Sequence, residues 1–196
     1  MPQLLQRSLA GDEAAVRALV QAHQEAVFRL ALAMLDDPQE AEEAVQDAFV
    51  KALNALDSFR GEASFRTWLF AIAVNLCRRR LKKRRLRDLL VHNLQSLLRL
   101  PGAGPAHPEE IVIQREAQGA LWGAVGALGE KHRLPVLLFY EHELPVAEIA
   151  RVLDLPIGTV LSRLHSAREK LRLALSRDTL ADLRASAEEA GEYEDD

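Results

Sequence analysis

"LPVAEIARVLDLPIGTVLSRLHSAREKLR", residues 144–172, decides the fold. Pro145 opens a segment whose inner side carries Ile149, Ala150 and Leu153 at helical spacing. Asp154 stands where the chain has to turn sharply, and Asp tolerates left-handed backbone better than most residues. Pro156 can then open a second helix. Helix, short turn, helix is the helix-turn-helix arrangement. On a wheel of 100° per residue, Val160, Leu164, Ala167 and Leu171 fall within about 60° and form the buried stripe. The far side carries Gly158, Ser162, His165 and Glu169, flanked by Thr159 and Ser166, with Arg163 and Arg168 on the shoulders. A helix entering a major groove needs short polar side chains to read base edges and cations beside them to meet phosphates.

Working outward from this stretch, the clearest linker is "PGAGPAHP", residues 101–108, with three Pro and two Gly. Before it, residues 12–35 show helical spacing in Ala15, Val16, Leu19, Val20, Ala26, Val27, Leu30, Ala31 and Met34. "DDPQEAEEAVQDAFVKAL" follows: Asp37 is a good N-cap, Pro38 suits the first helical position, and Glu40 completes a capping box. This helix buries Ala41, Ala44, Val45, Ala48, Phe49, Ala52 and Leu53, and shows Glu42, Glu43, Gln46, Asp47 and Lys51 on its other face. "DSFRGEASF", with Gly61, reads as a loop. "SFRTWLFAIAVNLCRRRLKKRRLRDLL" resumes as a long helix, apolar at its start and basic at its end. The chain is therefore all-α: two small helical domains joined by a flexible linker, the second containing the helix-turn-helix. The domains are 1–90 and 110–175, with 91–109 between them and an acidic tail over 176–196. That tail is expected to lack fixed structure in part, although "DTLADLRASAEEA" can extend the last helix.

Composition limits the alternatives. At 196 residues, 48% hydrophobic and 28% charged, the chain has the make-up of an ordinary globular protein. No apolar run approaches the roughly 20 residues that span a bilayer, and the N-terminus lacks a signal-peptide pattern. The single cysteine, Cys77, has no internal partner for a disulfide, which fits a reduced cytoplasmic setting. The net charge of -4 hides an uneven layout. "RRRLKKRRLR", residues 78–87, holds eight bases and no acid, whereas residues 178–196 hold eight acids and one base. Without that net -7 the remainder carries +3, so a nucleic-acid partner stays open. No Gly-rich phosphate loop or metal-spaced His/Cys cluster is present; an enzyme, a metal site and a cofactor are not expected.

"IARVLDLPIGTVLSRLHSAREKL" resembles the C-terminal helix-turn-helix of bacterial sigma factors of the extracytoplasmic-function group, through G-T-V-x-S-R-L-x-x-A-R. "DDPQEAEEAVQDAFVKAL" resembles the core-polymerase-binding helix of their N-terminal domain, and "FRGEASFRTWLFAIAVNLCRRRL" the segment that captures the -10 promoter element. The resemblance covers residues 8–175. It implies an alternative sigma factor that binds core RNA polymerase and directs promoter-specific initiation, monomeric when free and without catalysis of its own. Glu43, Gln46 and Asp47 would face the clamp helices of the polymerase's largest subunit, and the second domain would meet its flap. Arg60, Phe65, Arg66, Trp68 and Asn75 would hold the unpaired -10 strand, with Phe65 open to either role and Trp68 reading as core. Arg78, Arg79, Lys82 and Lys83, with Arg80, Arg84 and Arg85, would grip phosphates. Thr159, Ser162, Arg163, His165, Ser166 and Arg168 would meet the -35 element. The family also implies an anti-sigma partner and no membrane insertion of the chain itself.

Leu161 and Ser166 stand where relatives often carry cations, which weakens the expected -35 contact; Ala71, in "FAIAVN" of the first domain, also stands where relatives often carry Arg. A stand-alone helix-turn-helix regulator is the rival reading, but it leaves "AEEAVQDAF" and "FRGEASF" unexplained and lacks a dimerisation segment. Cys77 precedes three arginines that would lower its pKa; a small buried hydrophobe is the plainer role.

Overall fold

Asp12 and Asp37 set the frame of the first unit, because each starts a helix. The computed structural model describes residues 2–98 and 116–191, with side chains over 3–90 and 121–176. The Asp12 carboxylate accepts from the Ala14 and Ala15 amides and opens α2, Glu13–Leu35, which follows a short α1, Pro2–Leu9. Gly11 makes the turn between them at φ 82, a conformation open to glycine. Asp36 closes α2 in left-handed backbone, and Asp37 accepts from the Glu40 amide at 2.8 Å to open α3, Pro38–Asn54. The predicted N-cap is thus present, with Pro38 at the first position; the Glu40 carboxylate itself lies 3.9 Å from Arg84.

Alanines let α3 approach its neighbours closely. Ala41, Ala44, Ala48 and Ala52 are fully buried, whereas Val45 and Leu53 are only half-buried. α3 packs on both α2 and α4, Phe65–Leu98, which bury Leu19, Val27, Leu30 and Leu35, and Leu69, Phe70 and Val74, respectively. Each large side chain so removed from water contributes about 1.5–3 kcal/mol. Ser64 caps α4 by accepting from the Thr67 amide at 3.1 Å. The helix runs to Leu98, past the boundary read at 90, because "DLLVHNLQSLL" contains no breaker. The predicted linker 101–108 lies outside the described residues.

The chain divides into two compact units, Met1–Glu110 with Ala147–Asp154, and Ile111–Val146 with Leu155–Asp196. In the second, α5 (Glu116–Ala127) and α6 (Glu130–Val136) both pack on α8 (Ile157–Gly191). Pro135 sits inside α6 and has no amide to donate. The chain then widens into a π-type turn over Leu137–Glu141, in which the His142 amide donates to the Leu137 carbonyl at 3.1 Å. α7, Val146–Leu153, precedes Asp154 at φ 54, the left-handed turn expected from the sequence. Pro156 follows, and its carbonyl accepts the Thr159 amide at 2.9 Å as α8 begins. α8 carries "DTLADLRASAEEA" in helix up to Gly191 instead of leaving it in an unstructured tail; residues 192–196 lie outside the described part. Among the described residues there is no strand, and no helix is long and apolar enough to cross a membrane.

Candidate nucleic-acid interface

Burying one side of α3 forces the other outward. Glu43, Gln46 and Asp47 are all exposed. They do not form a bare acidic face, however. Arg80 of α4 donates from Nη1 to Glu43 Oε2 at 2.9 Å and from Nη2 to Asp47 Oδ2 at 2.6 Å. Arg84, one turn on, donates to the Leu35 carbonyl at 3.2 Å, where a cation suits the C-terminal end of α2.

The basic run therefore has two sides. With Arg80 at zero on the wheel, Arg84 and Arg87 lie within about 40°, facing α3. Arg78, Lys82, Arg85 and Asn75 fall within about 40° of the opposite pole. Asn75, Arg79, Lys82 and Arg85 are exposed and Arg78 is half-buried. Lys83 joins Arg80, Arg84 and Arg87 in lining the groove beside Glu40 and Glu43. Reading the run as one stretch of charge missed this division, although the 80, 84, 87 spacing carried it.

The loop before α4 is bent at Gly61, φ 72. It borders a cavity of about 430 Å³ lined by Phe59, Arg60, Gly61, Trp68 and Ala71, among others. A second recess of about 570 Å³, on the α2 side, takes in His23, Phe59, Phe65 and Arg66. Phe59 stands 5.2 Å from Trp68 and 6.0 Å from Phe65, centre to centre, and Phe65 and Trp68 are 5.8 Å apart. Of the two aromatics, Phe65, left open by the sequence, is the core residue, and Trp68, read as core, is the one that reaches a cavity. Phe65 is buried at 9% exposure, while Trp68 is half-buried with a face on the first cavity. The reason lies in the cap: Ser64 fixes the start of α4, so Phe65 turns in toward His23, whose ring is 5.4 Å away. Arg66 places its guanidinium carbon 5.2 Å over the Phe70 ring.

His23 itself was missed in the sequence, where it interrupts an apolar stripe. It is buried, and burial, aided by nearby Arg66, holds its pKa below the usual value. Cys77 is fully buried, and burial pushes its thiol up to about 11, outweighing the opposite pull of Arg80. The arginines that follow it in sequence do not activate it.

On α8, Val160, Leu164 and Ala167 are buried as expected, and Leu171 is half-buried. Ser162, His165 and Arg168 are exposed, and Thr159, Arg163 and Ser166 are half-exposed. The Ser162 hydroxyl donates to the Thr159 carbonyl at 3.0 Å, and Arg168 Nε donates to the Tyr140 hydroxyl at 2.9 Å. Leu161 presents 52% of its surface. Arg168 also borders an apolar groove of about 320 Å³ between Leu121, Trp122, Val125, Val136, Tyr140 and Leu171. Trp122 is 49% exposed beside it. Sequence reasoning missed this groove; the signal was a tryptophan in "GALWGAV" with no polar face around it.

Comparison with known proteins agrees with this geometry. Residues 19–87 match Sigma-70 region 2, and residues 118–171 match Sigma-70, region 4. The ECF RNA polymerase sigma factor SigW of Bacillus subtilis (strain 168) is 33% identical over 170 residues, covering 84% of this chain and 91% of the relative. The ECF RNA polymerase sigma-E factor of Escherichia coli (strain K12) is 33% identical over 175 residues, covering 86% and 90%. A solved structure of CnrH in complex with the cytosolic domain of CnrY is similar at TM-score 0.64 and 27% identity, covering 89% of this chain and 96% of that one. The chain belongs to the extracytoplasmic-function group of the sigma-70 family. It is an alternative sigma factor, a protein that directs transcription initiation.

Proposed function

We propose that α3 docks on the clamp helices of core RNA polymerase, that the loop before α4 and the outer side of α4 hold the -10 strand, and that α8 reads the -35 element. The carrying observation is the division of the polar residues. Exposed Glu43, Gln46 and Asp47 stand on α3, above a fully buried alanine stripe. Asn75, Arg78 and Lys82 lie away from α3, on the outer side of α4, with exposed Arg79 about 100° round from Arg80. The first suits a basic helix and the second a phosphate backbone. Arg60, Trp68 and Phe59 surround a cavity large enough for an unstacked base, and aromatic stacking holds such a base by about 1–3 kcal/mol. Phe65 and Arg66 support that loop from the α2 side. Lys83 meets phosphate only by turning out of the α3 groove.

Thr159, Ser162, Arg163, His165, Ser166 and Arg168 form the -35 face, and the groove at Trp122 takes an apolar segment of the polymerase flap. The protein acts in the cytoplasm, beside the polymerase, and an anti-sigma protein restrains it, as CnrY pairs with CnrH in the similar structure.

The test is to mix the chain with bacterial core polymerase, measure binding, and map transcription starts on a promoter library. Core binding with new, defined starts is expected. Sequence-specific duplex binding without core binding would overturn the proposal in favour of a stand-alone regulator.

A further inference from the structure

Glu43 and Asp47 carry the proposed polymerase contact, and in the free chain both are already occupied. The Arg80 guanidinium bridges them at 2.9 and 2.6 Å, with its side chain only 25% exposed and each carboxylate side chain 56% exposed. One fork thus spans two carboxylates a helical turn apart, a geometry that a lysine does not reproduce. The arrangement relieves a repulsion, since Glu43 and Asp47 are like charges at i, i+4 on one helix face.

We infer that Arg80 is a built-in competitor for the polymerase: it holds the acidic face of α3, and a basic partner helix gains Glu43 and Asp47 only by displacing it. This rests on the reading that α3 docks on core polymerase. A carboxylate already bridged by a guanidinium gives an incoming cation only the difference between two similar contacts. The displaced Arg80 does not join the promoter grip, because Asn75 and Lys82 lie about 140–160° away around α4. Arg80 therefore tunes core affinity without adding to DNA contact. The neighbouring Arg84 is anchored on the end of α2 and keeps its hold there when Arg80 leaves.

The test is the affinity of the full chain for core polymerase. The proteins compared are the wild type, Arg80→Met, Arg80→Lys, the pair Glu43→Gln with Asp47→Asn, and that pair combined with Arg80→Met. Arg80→Met is expected to bind about three- to tenfold more tightly than wild type, as the loss of two exposed ion pairs implies. Arg80→Lys should fall between them, and it carries the test if the Met variant does not fold. In the double-amide background, Arg80→Met should change nothing. A folded Arg80→Met protein that binds core no more tightly, or a gain that persists without the carboxylates, overturns the competitor role. Failure of the wild type to bind core at all removes the docking reading, and the competitor with it.

Discussion

Leu161→Lys tests whether the outer side of α8 meets a phosphate backbone. Leu161 lies on one shoulder of the helix, between Arg168 and His165 on the wheel, and is 52% exposed. It makes little of the core, and Leu and Lys have similar helix propensities. The substitution should therefore change folding stability by no more than about 0.5 kcal/mol. If that shoulder lies along the duplex, the new ammonium adds one phosphate contact. The slope of log affinity against log salt then steepens by about 0.9, so the variant's advantage shrinks about 3.5-fold between 50 and 200 mM salt. Because phosphate contacts carry no sequence information, a scrambled -35 element should gain as much as the true one. The assay is fluorescence anisotropy of a labelled promoter duplex titrated with holoenzyme at four salt concentrations. Parallel wild-type and variant lines would show that this shoulder does not face DNA.

Two further outcomes follow from buried titratable groups. Cys77, with its thiol raised to about 11, should resist a thiol reagent at pH 8 in the native protein and react fully once unfolded; native labelling would contradict its burial. His23 is held below its ordinary 6.5, so the folded chain binds fewer protons than the unfolded one. Its contribution is full above about 6.5 and is lost as pH falls from there toward the folded value. His23→Leu should make the melting temperature less steep between pH 5 and 7 without levelling it, because burial also lowers His132; an unchanged slope refutes the assignment.

Features governed by local backbone chemistry are legible in the sequence itself. Asp154 at φ 54 and Asp37 capping α3 are examples, since both depend on a few neighbouring atoms. The alanine stripe of α3 is also legible, because period and burial coincide there. What escapes a sequence reading depends on partners far along the chain. Arg80 looks like one cation among eight until α3 is laid beside α4, 33 residues away in sequence from Asp47. The sequence left Phe65 open and read Trp68 as core because both fit an apolar helix start, and only the Ser64 cap decides which turns inward. The groove at Trp122 needs α5, α6 and α8 to be brought together.

The unbroken course of α4 makes it a ruler. Trp68 and Lys82 are fourteen residues apart on one rigid rod, a separation of about 21 Å, or about six nucleotide steps at duplex spacing. Inserting a single residue between Trp68 and Arg80 would lengthen that distance by only about 1.5 Å, but would swing every later cation by about 100° around the axis. Arg80 would then leave Glu43 and Asp47, and Lys82 would leave the outer side. This segment can therefore exchange one residue for another, but it cannot gain or lose one without unsetting both of its faces at once.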